Sequence, residues 1–342
     1  MAVKTALIFG ISGQDGQWLA LYLLKLGYNI VGTSRQSNIS ISNLPLFKYS
    51  KIDNSKIKIV NNFHLKSSEL TKILDELHPD EIYHLSSLSF VQESWKNPLE
   101  TISKTTEEVY TLVESLRTNY KNSSLYFSGS SELFGNARES PQDLKSQMNP
   151  RSPYATSKLL AFHIIRNYRA KYGVKAYTGI TYNHESELRP KHFATRKITS
   201  TLASIKAGIS TKIEIGNIYA TRDWGYAPDY VIAMHSMLQE TNNSDHILCT
   251  GKAHTVLDIL KISSNYLNIN WEDHCIESQK DFREAEAIPL VGNPSQAKNH
   301  LNWCSKTNFE ELICKMCDYD YSLLKEGEEI AFNKHLKVNF ES

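Results

Sequence analysis

Residues 3–34 constrain the fold more than any other stretch. Val3 to Phe9 reads as a strand of the buried, parallel type. It runs into Gly10-Ile-Ser-Gly-Gln-Asp-Gly16. Trp18, Leu19, Leu23 and Leu26 then recur at helical spacing, and Gly27 supplies a stop. "NIVGTS" follows as a second strand. Strand, glycine-rich turn, helix and strand make a βαβ unit. Such a unit crosses over right-handedly and needs helices on both faces of its sheet.

The alternation continues downstream. "KIKIV", "EIYHLS", "SLYFSGS" and "VKAYTGITYN" read as strands. Between them "SSELTKILDEL", opening on a capping-type Ser, "PLETISKTTEEVYTLVESLRT" and "PYATSKLLAFHIIRNYRAKYG" read as helices. The expected fold is therefore α/β, a Rossmann-type doubly wound parallel sheet with a smaller C-terminal substrate-binding lobe. Residues 1–183 form the first domain and 184–342 mainly the second, with segments near 212–250 returning to the first. A chain of 342 residues is long enough for both.

Gly10, Gly13 and Gly16 sit between a strand and a helix, the context a pyrophosphate cradle requires. The first makes the tight turn, the second admits the phosphate, and the third lets helix and strand pack closely. The helix N-terminus faces the anion. A fold of this kind that selects NAD carries an acid after its second strand. Here the segment is "TSRQSN", with Arg35 and no acid. A guanidinium suits a 2′-phosphate, so NADP is the expected cofactor. Taken alone, Arg35 reads equally as a solvated surface residue.

Tyr154 and Lys158 of "YATSK" lie four apart on one helix face. A nearby ammonium favours the phenolate, which could then take a proton from a sugar hydroxyl. Tyr and Lys at this spacing are common by chance. They gain meaning from the upstream glycine-rich unit and the hydroxyl-bearing "SGSSELFGN", Ser128 to Asn136.

Charge narrows the partners. The formal net charge is +1 and no Lys/Arg block stands out. Nucleic acid and anionic membrane surfaces are thereby disfavoured. "MAVKTALIFG" lacks the pattern of a signal segment, and no apolar run approaches spanning length, so a cytoplasmic location is expected. The Cys314–Cys317 pair falls in a helical pattern with no second ligand pair, and no metal site is expected.

Across these segments the chain resembles the GDP-mannose 4,6-dehydratase family of extended short-chain dehydrogenase/reductases. The resemblance rests on "SGQDG", "SELFG", "PRSPYATSK", "NHES" (Asn183 to Ser186), "TRKI" and "GNIYATRDWG". It implies oxidation at C4 of a GDP-sugar, loss of water across C5 and C6, and return of hydride to C6. It also implies that Gly10, Gly13, Gln14, Asp15, Gly16, Arg35, Tyr154 and Lys158 hold NADP. Ser130, Glu132, Tyr154 and Lys158 would carry the chemistry, with Glu132 as the C5 base. Read alone, Glu132 is a helix-start carboxylate favoured by the dipole. Asn183, Arg189, Lys197, Arg222, Arg283 and Glu286 would hold the nucleotide-sugar. Arg189, Lys197, Arg283 and Glu286 read equally as surface charges, and His184, Glu185, Asp223 and Trp224 as scaffold.

The resemblance implies a homodimer or homotetramer. Several positions depart from the family. Ser130 replaces a Thr, and Gln36 a second Arg. Phe63 stands near an Asp that contacts adenine, and "NHESELRPKHF" alters the sugar-facing loop. The resemblance implies GDP-mannose first, and a related GDP-sugar such as a GDP-heptose would fit these changes. The competing readings are an NDP-sugar epimerase or 4-keto-reductase, and a non-catalytic NADP-binding regulator.

Overall fold

The computed structural model describes residues 3–50, 52–86, 91–240, 244–278, 288–336, 338 and 340. The first half alternates as β1 (Thr5–Phe9), α1 (Gln14–Lys25), β2 (Asn29–Thr33), a short α2 (Pro45–Lys48) and β3 (Ile57–Val60). Then come α3 (Ser67–Leu77), β4 (Glu81–His84), α4 (Pro98–Thr118), β5 (Ser124–Ser128), α5 (Pro153–Tyr172) and β6 (Ala176–Thr181). The second half has shorter pieces: β7 (Asn183–Glu185), α6 (Ala194–Lys206), β8 (Ile213–Ile215), β9 (Thr221–Arg222), β10 (Trp224–Tyr226) and α7 (Ala227–Gln239). It ends with β11 (His246–Leu248), β12 (His254–Thr255), α8 (Val256–Leu267), β13 (Cys275–Glu277), α9 (Ser295–Leu301), α10 (Phe309–Lys325) and α11 (Glu328–His335).

Among the described residues, seven strands form one sheet in the order β11-β6-β5-β4-β1-β2-β3. All its pairings are parallel. The order in which the chain lays down its strands reverses about β1, which lies between β2 and β4. That is where ligands collect in such sheets. Side chains alternate across β1. Ala6 and Ile8 join the core under α1 and α7, while Leu7 and Phe9 join the core under α3, α4 and α5. All four are fully buried. The larger ones each contribute about 1.5–3 kcal/mol of burial, so β1 tolerates neither slip nor polar substitution.

The second lobe has its own core. Ile198, Leu202, Trp224, Leu260, Leu312 and Cys317 pack between α6, α8 and α10. Of the 212–250 stretch, α7 packs in the α1 core and β11 joins the large sheet. Residues 213–226 depart from that: β8 pairs with β13, β9 with β12 and β10 with β7. The C-x-x-C lies on α10, where Cys317 is core. All five cysteines are free thiols. No helix among the described residues is long and apolar enough to cross a membrane.

One local expectation is corrected. The cap of α3 is Lys66, with no side-chain cap bond. Ser67 is already helical, and its hydroxyl donates to Glu107 of α4 at 2.7 Å. Docking to a neighbouring helix outweighs capping here.

Candidate active site

The glycine-rich turn owes its shape to two close approaches. Gly10 has φ +90°, and a Cβ there would lie 3.1 Å from the Ser86 backbone. A Cβ on Gly16 would come within 2.3 Å of the Gly10 carbonyl oxygen and 2.7 Å of Ile11 Cα. Only glycine allows α1 to lie this near β1. Gly13 is the exposed N-cap of α1, and it brings no side-chain cap bond to the helix start. An uncapped helix start of this kind leaves first-turn N–H groups available to an anion. Arg35 is exposed just past β2, whose Thr33 carbonyl accepts from Gly10 N–H at 3.2 Å.

The residues expected to carry the chemistry sit on two neighbouring elements. Ser152 caps α5 by accepting from Ala155 N–H at 3.1 Å, and Pro153 starts the helix. This puts Tyr154 in the first turn and Lys158 one turn on. Lys158 is 1% exposed. Its ammonium donates to the Ser128 carbonyl at 2.6 Å, 4.5 Å over the Phe127 ring and 5.8 Å over the Tyr154 ring. Burial pulls its pKa down to about 8. At the end of β5, a 3-10 turn spans Ser131–Leu133. Ser130 caps it by accepting from Glu132 N–H at 3.2 Å. One turn thus fixes Ser130 relative to Glu132.

"NHES" forms β7 and the residue after it. His184 faces an acceptor at each ring nitrogen: the Tyr182 carbonyl at 2.7 Å and Asp15 at 2.9 Å. Both nitrogens then carry protons. Burial opposes that charge, but Asp15 outweighs it and raises the His184 pKa. Burial likewise opposes the charge on Asp15, and His184 outweighs it, lowering the Asp15 pKa.

Gln14 completes the bracket. Its amide nitrogen donates to Asp15 at 2.9 Å and to the His184 carbonyl at 3.0 Å. Its amide oxygen accepts from Ser186 at 2.9 Å, and Trp18 donates to the same hydroxyl at 3.1 Å. The Gln14 side chain, expected at the cofactor, is thus buried and turned toward β7. The pull is polar satisfaction: an amide buried beside a strand end must find partners.

Glu185 is buried and accepts from Thr195 at 2.6 Å, with Arg189 paired to it at 3.0 Å. The Arg189 guanidinium lies 3.6 Å over the Phe193 ring. Arg196 is internal, held by Asp320 at 2.8 Å. Asp223 accepts from Thr250 and Gly251 N–H groups, both at 2.9 Å, which ties the "RDWG" loop to the end of β11.

These elements enclose a cavity of about 690 Å³ at the carboxyl ends of β5 and β6, facing the second lobe. Ser130, Glu132, Tyr154, Asn183, Arg189, Lys197 and Arg222 all line it, and Asp15 touches it. Arg35 and the Gln14 side chain are not part of this wall. Phe63 is buried and stacks on Phe9 at 5.8 Å, so it serves the core rather than an adenine. Arg283 and Glu286 lie outside the described residues. Lys191 and His192 also line the cavity but were not foreseen. Their signal was the altered run "ELRPKHF", which brings Arg189, Lys191 and His192 within four residues.

Comparison with known proteins agrees with this architecture. The family model for GDP-mannose 4,6 dehydratase matches residues 7–316. GDP-mannose 4,6 dehydratase 1 of Arabidopsis thaliana is 39% identical over 337 residues, spanning 96% of this chain and 92% of the relative. GDP-mannose 4,6-dehydratase of Vibrio cholerae is 32% identical, spanning 97% of this chain and 98% of the relative. Among solved structures, UDP-glucose 4-epimerase from Thermotoga maritima superposes with a TM-score of 0.81 at 18% identity, covering 94% of this chain and 99% of that one. RMD from Pseudomonas aeruginosa complexed with NADPH gives 0.76 at 18% identity, with coverage of 94% and 99%. At such identities these two likenesses concern the fold. The curated relatives and the family model decide the rest: the chain belongs to the GDP-mannose 4,6-dehydratase family.

Proposed function

We propose that this chain is an NADP-dependent nucleotide-sugar 4,6-dehydratase, a hydro-lyase acting on GDP-mannose or a related GDP-sugar such as a GDP-heptose. One observation carries the reading. Ser130, Glu132 and Tyr154 open onto a single cavity, with Lys158 against Tyr154 from within. Family membership supports the reaction class. The NADPH bound by the Pseudomonas aeruginosa neighbour supports the cofactor.

The cradle suits a dinucleotide pyrophosphate. Gly10 turns at φ +90° against the Ser86 backbone, α1 starts uncapped, and the Ser86 hydroxyl beside Gly10 is buried with no protein partner among the described residues. Gly10, Gly13 and Gly16 would hold the pyrophosphate, with Arg35 toward the 2′-phosphate. When bound, NADP supplies the acceptor and later the donor of hydride. Every other task falls to side chains. Tyr154 accepts the proton of the sugar O4, and Lys158 keeps positive charge beside the phenolate. Ser130 hydrogen-bonds O4. Glu132 takes the C5 proton that the C4 ketone acidifies and passes it to the departing C6 hydroxyl, which leaves as water. Asn183, Arg189, Lys197 and Arg222 hold the nucleotide-sugar across the cavity.

We assign residues 1–183, joined by α7 and β11, to the cofactor, and most of 184–342 to the nucleotide-sugar. A homodimer or homotetramer is supported by Leu99, Tyr110, Leu160 and Tyr172, exposed on α4 and α5. Light scattering tests that assembly. Five free thiols fit a cytoplasmic setting.

The deciding experiment incubates the protein with a panel of GDP-sugars and follows product mass and nicotinamide absorbance. Loss of one water with no net NADPH is the expected result. Stoichiometric NADPH would overturn the dehydratase reading in favour of a dehydrogenase. A product of unchanged mass would mark an epimerase.

A further inference from the structure

A second cluster lies away from the cavity, at the outer edge of the large sheet. Glu240 closes the C-terminus of α7, His246 opens β11, and His300 sits in the last turn of α9. None of the three lines the active-site cavity. Their ligand atoms all fall within 4.8 Å of one another. His246 Nε2 and Glu240 Oε2 are 3.6 Å apart, near the ~3.4 Å edge of a tetrahedron with ~2.1 Å bonds. The two imidazoles meet at 85°, with ring centres 5.6 Å apart.

We infer that Glu240, His246 and His300 form a three-ligand site for a divalent transition ion of the zinc class, with water as the fourth ligand. Two imidazoles and one carboxylate make a donor set such ions favour. The tautomer is also arranged. His246 Nδ1 meets the Ser244 carbonyl at 3.1 Å, which turns the Nε2 lone pair toward Glu240 and His300. The Ser244 hydroxyl stands 3.5 Å from that nitrogen, at the limit of a hydrogen bond. The neighbouring Asp245 is not available, because Arg169 and Thr178 N–H occupy its oxygens. A carboxylate at the C-terminus of α7 sits at the negative end of the helix dipole, where a cation is favoured. The ion would tie α7, β11 and α9 together at a sheet edge, away from the cavity.

The test uses the full chain, stripped with chelator and titrated with Zn²⁺ against a chromophoric competitor near neutral pH. Wild-type protein should bind a single equivalent, and its Tm should rise with free zinc. His300→Ala, at an exposed position that should not disturb folding, should weaken binding about 100-fold or more and abolish the Tm response. His246→Gln should do the same. Cys314→Ser should leave binding intact, which separates this site from the thiols. Failure of wild-type protein to compete for zinc, or a His300→Ala protein that binds as tightly, overturns the inference.

Discussion

Lys158→Met separates what the buried ammonium does for the reaction from what it does for the fold. A native pKa of about 8 against 10.5 for the free side chain corresponds to a cost of roughly 3 kcal/mol for holding the charge indoors. Methionine removes that cost and keeps most of the stem. It also leaves the Ser128 carbonyl without its donor and gives up the contact with Phe127, a loss of about 1–3 kcal/mol. The two effects nearly cancel, so stability at neutral pH should change by less than about 2 kcal/mol. Turnover should fall about 100-fold or more. The pH signature follows from linkage. Between pH 8 and 10.5 the unfolded chain holds this proton and the native chain does not. Wild-type stability therefore rises through that window relative to the variant, by at most about 1.4 kcal/mol per pH unit. Below pH 8 the difference is constant. Chemical denaturation across pH, with initial rates measured in parallel, tests both halves. A variant that loses more than about 4 kcal/mol, or keeps wild-type turnover, refutes the reasoning.

Gly16→Ala drives a methyl into the Gly10 carbonyl, so α1 must shift; about 1–3 kcal/mol of stability and much of the NADPH fluorescence titration should be lost. Arg35→Ala should weaken NADP about 10- to 100-fold while sparing NAD, read as the ratio of kcat/KM for the two cofactors. Asp15→Asn breaks the pair with His184. The lowered Asp15 contributes above about pH 3.8 and the raised His184 below about 6.5, so the variant's deficit in urea denaturation should peak between those values. Glu187 is 1% exposed, and burial pushes its carboxyl up to about 7 from 4.5. The native state then holds a proton the unfolded state releases, so stability declines as pH rises through that window. Glu187→Gln should be more stable than wild type above pH 7 by up to about 3 kcal/mol, measured by calorimetry.

The long elements were legible because their patterns are long. Helix α4 runs over the same residues, 98–118, that its sequence pattern marks. The parallel sheet follows from apolar runs separated by helices. The pairs β7–β10, β9–β12 and β8–β13 were not legible, since strands of two or three residues carry no period to read. Ser130, Glu132 and Tyr154 could be named from motifs. The inward turn of Gln14 could not, because its partner His184 is 170 positions away. Phe63 shows the same limit: a residue beside a binding position in sequence can be claimed by the core. Glu240, His246 and His300 have no recognisable spacing, and only folding brings them together.

The bracket of Gln14, Asp15, Trp18, His184 and Ser186 has a consequence for anyone recombining such enzymes. It places residues of the first helix in direct contact with the loop that leads into the second lobe. The half proposed to hold the nucleotide-sugar is therefore not a detachable cartridge. A chimera cut near residue 183 would inherit a loop whose five-way polar match was written into another protein's opening helix. Grafts that carry α1 along with the second lobe should fold and bind; grafts that leave it behind should lose alignment between the two ligands before they lose either one.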